Sequence, residues 1–262
     1  MKNFCILACL LFAGCASTNV PLDVLKEMAP TGKLRVGTNH QNFLLVNPGS
    51  QFGYPSGIVP DIAAELGRRL NVPVEFVSFP TAGATADAVT SGAWDVAFIA
   101  AEPQRANQIA FSAAYLEIPV TYLVPAGSKF RTIAEVDRPG VRIVVSAKSA
   151  YDLYLSRTLK SATLERAPSI PAAAELFRTG KFDAMVGLRT GLLADAETMP
   201  GSRVLDGQIY GVQQAIGTPK ERQKSAAYLR LFVEEIKRTG VVSTAIEKNK
   251  VRGVSVAPAS VN

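Results

Sequence analysis

Histidine occurs once in the 262 residues, and cysteine three times, at Cys5, Cys9 and Cys15. A single histidine, His40, without cysteine or acidic partners excludes a histidine-based metal site. It also leaves no Ser-His-Asp or Cys-His set for nucleophilic catalysis. All three thiols lie at the very start, so no pair survives in the mature chain to form a disulfide. Charged residues are only 19% of the chain, and the formal net charge of +6 comes from scattered lysines and arginines. Scattered charge gives no reason to expect a nucleic acid partner; it supports only a general attraction to anions. No cofactor is expected.

What is present begins with an address. Lys2 is followed by an apolar run from Phe4 to Ala13, well short of the roughly 20 residues that span a bilayer, which reads as a secretory signal peptide over residues 1–14. Leu11-Phe12-Ala13-Gly14-Cys15 resembles a bacterial lipoprotein box, in which Cys15 would carry the lipid. The alternative is ordinary cleavage after Ala16, giving a free protein.

Helix and strand signals then alternate. Leu22 to Met28 reads as a short helix and Lys33 to Thr38 as a strand, with Asn39, His40 and Phe43 just past its carboxyl end. A Gly-, Pro- and Asn-rich loop leads to a helix from Pro60 to Leu70, whose Ile62, Leu66 and Leu70 share one face. Val74 to Phe79 is a strand. Thr81 opens the next helix, whose free N–H groups could hold an anion, and Gly92 closes it. The apolar strand Trp94 to Ile99 follows, and the chain leaves through Ala100 to reach Arg105. Ligands of open α/β sheets sit outside the carboxyl ends of strands. A guanidinium there suits a bidentate grip on a carboxylate or phosphate, although a surface arginine capping a loop is the plain alternative.

The segment Ser91 to Phe98 returns in residue type at Thr179 to Val186: hydroxyl, Gly, any residue, aromatic, Asp, apolar run. Two α/β halves of similar construction are the simplest account. Val120 to Val124 reads as a strand ending at Pro125, Thr132 and Glu135 as a capping box, Val141 to Ser146 and Thr163 to Ala167 as strands. Ser149 opens a helix to Lys160, and Ser169 and Gly180 bracket another. Phe182 to Val186 and Val204-Leu205 are strands, and Tyr210 to Ile216 carries the chain back. Glu221 to Thr239 is a long helix with Tyr228, Leu231, Phe232 and Ile236 on its apolar face. The tail after Gly253 is expected to be loose.

Gly32 to Thr38, Gly57 to Ala63, Gly92 to Asp95, Arg105 and Phe111 to Tyr115 follow one another in a distinctive order. From about Thr31 to about Gly253 the chain resembles the extracellular solute-binding proteins of family 3, which deliver amino acids and similar solutes to ABC importers. The resemblance implies an α/β, two-lobed periplasmic-binding-protein fold with mostly parallel sheets and two hinge crossovers. Lobe one would comprise residues 31–122 and 213–262, lobe two residues 123–212, and residues 15–30 a tether with a short helix. Alternation alone would also allow a single doubly wound domain.

The same resemblance implies a site. Arg105 matches the arginine that holds the ligand α-carboxylate, while the neighbouring family hydroxyl falls on Ala100. Asn39, His40 and Phe43 lie in a loop that carries ligand contacts, and Thr81 opens a helix beside it. The family's Gly-Thr-Thr turn becomes Ala147-Lys148-Ser149, where Ser149 can still meet an anion at a helix start and Lys148 adds a cation. The aspartate that receives an α-ammonium falls on Leu188, followed by Arg189. No acid occurs from Leu188 to Ala194, where the related cyclohexadienyl dehydratases would place a catalytic glutamate near Thr190.

These residues imply a non-enzymatic, monomeric binding protein, exported to the periplasm or envelope and, where the lipoprotein box is used, held to the membrane through Cys15. It would capture a small anionic, carboxylate-bearing solute by hinge closure and present it to the membrane subunits of an ABC importer. An amino acid binder, with Glu102 supplying the missing charge, is the first alternative. A dehydratase-like enzyme and a sensor read in trans by a membrane partner are the others.

Overall fold

The computed structural model describes residues 20–47, 49 and 54–260; the signal segment, Cys15 and part of the Asn47 to Ser56 loop lie outside the described residues. After α1 (Leu22–Met28) come β1 (Leu34–Asn39), α2 (Ile58–Leu70), β2 (Val74–Phe79), α3 (Ala82–Asp87) and β3 (Val96–Ala100). The long strand β4 (Ile109–Val124) leads to β5 (Arg142–Ser146), α4 (Ala150–Thr158), β6 (Thr163–Ala167), α5 (Ile170–Thr179), β7 (Ala184–Leu188), α6 (Arg189–Glu197) and the short β8 (Arg203–Val204). β9 (Tyr210–Pro219) returns the chain to α7 (Gln223–Arg238), α8 (Val241–Lys248) and β10 (Ser255–Val256).

The strand order is β2-β1-β3-β9-β4-β7-β5-β6. β1 pairs parallel with β2 and β3, and β5 pairs parallel with β6 and β7. Every antiparallel pairing between these strands involves β4 or β9, the two crossovers, which also pair with each other. This is the mixed α/β, two-lobed arrangement, with parallel strands in each lobe and two extended strands between them. All five residues of β3 are buried, as expected for a strand covered on both faces.

The repeated segment has the same bonding in both halves. The Asp95 N–H donates to the Arg35 carbonyl and the Asp95 carboxylate accepts the Arg35 N–H at 3.1 Å. The Asp183 N–H donates to the Arg142 carbonyl and its carboxylate accepts the Arg142 N–H at 2.8 Å. The aspartate therefore fixes the register of the third strand of each lobe against its first.

Several segments depart from the sequence reading. The strand expected from Val120 begins eleven residues earlier, at Ile109, because β9 pairs with it from Ile109 to Val120. Thr132 and Glu135 do form a capping box, but on a single 3-10 turn. Leu231 is 74% exposed, and the buried face of α7 is Leu229, Phe232, Val233 and Ile236. The tail is not loose: β10 pairs with Leu116 and Glu117, Ala257 is buried, and the Lys237 ammonium donates to the Pro258 carbonyl.

Candidate functional site

Arg105 follows β3 in a short 3-10 turn and is only 6% exposed. Its Nη1 donates to the Ala100 carbonyl at 2.9 Å, and its Nη2 reaches across to the Lys148 carbonyl at 3.0 Å. Among the described residues no carboxylate pairs with it. Burial draws its pKa down to about 10, opposed mainly by the nearby Glu102, so the guanidinium stays charged at neutral pH.

Arg105 lines a cavity between the two halves. Asn39, Thr81 and Ala100 line it from the first half, with Gln214 from the return strand. Ser149 lines it from the second half, at the start of α4, together with Leu188 at the end of β7. The Ser149 hydroxyl caps α4 by accepting the Asp152 N–H, and the Thr81 hydroxyl caps α3 by accepting the Ala84 N–H.

A second cavity adjoins the first and shares Gln41, Asn42, Tyr151, Ile170 and Leu188 with it. Phe43, Met185, Val186 and Leu192 make its walls largely apolar, and Asp195 of α6 lines it. Burial pushes the Asp195 carboxyl above the ordinary carboxylate range.

Three residues expected at the site direct their functional groups elsewhere. His40 is exposed and lines neither cavity; its backbone N–H donates to the Phe79 carbonyl. Lys148 takes a left-handed backbone conformation, φ 54°, which presents its carbonyl to Arg105 while its ammonium pairs with Asp87 at 2.6 Å. Arg189 starts α6 and donates to the Leu205 and Gly207 carbonyls, with Asp206 nearby. Glu102 is buried and pairs with Arg157 of α4 at 2.8 Å, so it too is engaged outside the cavities. Gln214 and Asp195 were missed in the sequence. Asp195 stands two helical turns beyond Leu188, a spacing that carries no signal until α6 is known to face the cavity.

Two α/β lobes around a cavity lined from both sides define a solute-binding protein. The chain belongs to the bacterial extracellular solute-binding proteins, family 3, whose family profile matches residues 34–250. No curated protein matches the chain. Among solved structures it is similar to a solute receptor for L-cysteine of Neisseria gonorrhoeae, with TM-score 0.73 and 19% identity, covering 88% of this chain and 95% of that one. It is similar to a mutant of ArgBP from T. maritima, with TM-score 0.71 and 22% identity over 87% and 99% of the two chains. A third is an ancestral amino acid-binding protein, a precursor of cyclohexadienyl dehydratase, with TM-score 0.69 and 22% identity over 86% and 98%. At these identities the likeness establishes the fold.

Proposed function

We infer that this protein is the substrate-binding component of an ABC importer and captures a small carboxylate-bearing solute between its lobes without transforming it. The observation that carries this reading is Arg105, a buried cation lining the cavity with no carboxylate partner among the described residues. A buried unpaired charge is costly, and a ligand carboxylate would relieve it. The start of α4 on the opposite wall favours the same sign of charge. Leu188, where an α-ammonium acceptor would be needed, argues for a solute lacking that group.

An amino acid is the second reading, favoured by the description of the Neisseria gonorrhoeae neighbour as a receptor for L-cysteine. Glu102 does not help it, being held by Arg157. Calorimetric titration of an α-amino acid beside its deaminated analogue separates the two: tighter binding of the amino acid overturns the preference. Arg105→Ala should weaken either ligand by roughly 2–5 kcal/mol, because an anion would be buried without its partner. Unchanged affinity in a folded variant would place the site elsewhere. Membrane attachment through Cys15 completes the reading; Cys15→Ser should release the protein from membranes, and a wild-type form free in the periplasm and starting after Ala16 would contradict it.

A further inference from the structure

We propose that the solute is elongated, with its carboxylate at Arg105 and a hydrogen-bond donor, an ammonium in the best case, at its other end beside Asp195 and Asn42. The inference rests on the carboxylate reading of Arg105 and adds the far end of the same ligand. The two cavities share one wall: Arg105 lines only the first and Asp195 only the second. A solute held at Arg105 that also fills the second cavity must therefore pass Leu188 and Tyr151 and end near α6.

Two acceptors of the second cavity lack partners among the described residues. The Asp195 carboxylate has no hydrogen-bonding or ionic partner among the described residues. The Asn42 side-chain oxygen is buried and unpartnered, in a residue only 9% exposed. Both are acceptors, and the Gln41 side-chain oxygen beside them already accepts the Ile170 N–H at 3.0 Å. Gln41 and Tyr151 supply the other polar groups of this wall, and the remaining lining is apolar. Asp195 is itself only partly buried, and that burial raises its carboxyl above its ordinary value. An alkyl terminus would leave the buried Asn42 oxygen unsatisfied and take water from Asp195, and a second carboxylate would face Asp195 as a like charge. An ammonium would meet both and form a charge-assisted pair with Asp195. Because this donor sits in the second cavity, away from Leu188, it is an ω-substituent and not an α-ammonium.

The test is calorimetry with matched carboxylates: γ-aminobutyrate, δ-aminovalerate and ε-aminocaproate against butyrate, valerate and caproate, with glutarate as a dicarboxylate. At least one amino member should bind wild-type protein about tenfold or more tightly than its plain partner. In Asp195→Asn that ratio, read within the variant, should fall about tenfold. Plain or dicarboxylic members binding wild-type protein as tightly as the amino members would overturn the proposal, whatever the variant does. So would an unchanged ratio in Asp195→Asn. If no carboxylate binds wild-type protein, the Arg105 reading falls with it. If carboxylates bind and Arg105→Ala abolishes this without any preference for the ω-donor, only the present inference falls.

Discussion

The Arg105 guanidinium donates to the backbone carbonyl of Lys148 at 3.0 Å, tying the strand-end loop of one lobe to the turn before α4 in the other. The same side chain lines the cavity, so under the proposed function ligand capture and lobe closure would share one group. Arg105→Lys tests this sharing. A lysine keeps the charge but not the planar fork that serves the Ala100 and Lys148 carbonyls and an anion together. Carboxylate affinity should fall at least about tenfold, and small-angle scattering should show a larger radius of gyration at saturating ligand. Wild-type affinity in the lysine variant would reduce Arg105 to a point charge.

Gly83 of one half packs against Lys148 of the other. A Cβ on Gly83 would stand 2.7 Å from the Lys148 Cβ, closer than carbon atoms can pack. Gly83 lies in α3, where alanine is the better helix former by about 1 kcal/mol. Gly83→Ala should therefore leave thermal stability unchanged or slightly raised while lowering ligand affinity about tenfold through hindered closure. Equal affinity by calorimetry would mean that the lobes close with a different separation.

Much of this arrangement was legible from residue order. The repeated Gly-any-aromatic-Asp segment foretold two matching halves, and Asp95 and Asp183 show the physical reason in their identical bonds to the first strand of each lobe. Ser149 and Thr81 were readable as caps because capping is local. The first half of β4 was not, since Ser112, Ala113 and Ala114 give no alternation and the strand exists by pairing with β9, about a hundred residues away. The directions of Lys148 and Arg189 were equally hidden. A left-handed backbone and Asp87 decide the first, and the Leu205 carbonyl the second. β10 is defined by its partner Leu116 and by no pattern of its own.

Glu65 gives a stability prediction with a sign. It accepts from the Arg68 Nε and Nη2 at 2.8 Å each and from the Arg69 Nε at 2.7 Å. The bond from Arg68 is the main reason its carboxyl is held down to about 2 from 4.5, with burial opposing. A carboxylate depressed in the folded state stabilises above its unfolded value, and the contribution fades as pH falls from 4.5 towards about 2. Between about pH 6 and pH 3, wild-type protein should lose more unfolding free energy in urea than Glu65→Gln does. Parallel losses would show that the pair contributes little once solvated.

The two repeated aspartates should differ sharply in what they contribute. Asp95 is fully buried and binds the Arg35 Nε at 3.0 Å, the Arg35 Nη2 at 2.8 Å and the Arg222 Nη1 at 2.8 Å, besides the Arg35 backbone N–H. Arg222 in turn donates to the Glu27 carbonyl at 2.7 Å, so this one carboxylate joins β1, β3 and the α7 N-cap to the end of α1. Asp183 keeps the register bond to Arg142, but the Arg142 guanidinium lies over the Phe182 ring at 4.3 Å instead of on the carboxylate. Asp95→Ala leaves two arginines without their anion and should cost roughly 3–5 kcal/mol in urea denaturation. Asp183→Ala removes one partly exposed hydrogen bond and should cost about 1 kcal/mol. Equal losses would mean that the register bond, common to both, is what each aspartate is there to make.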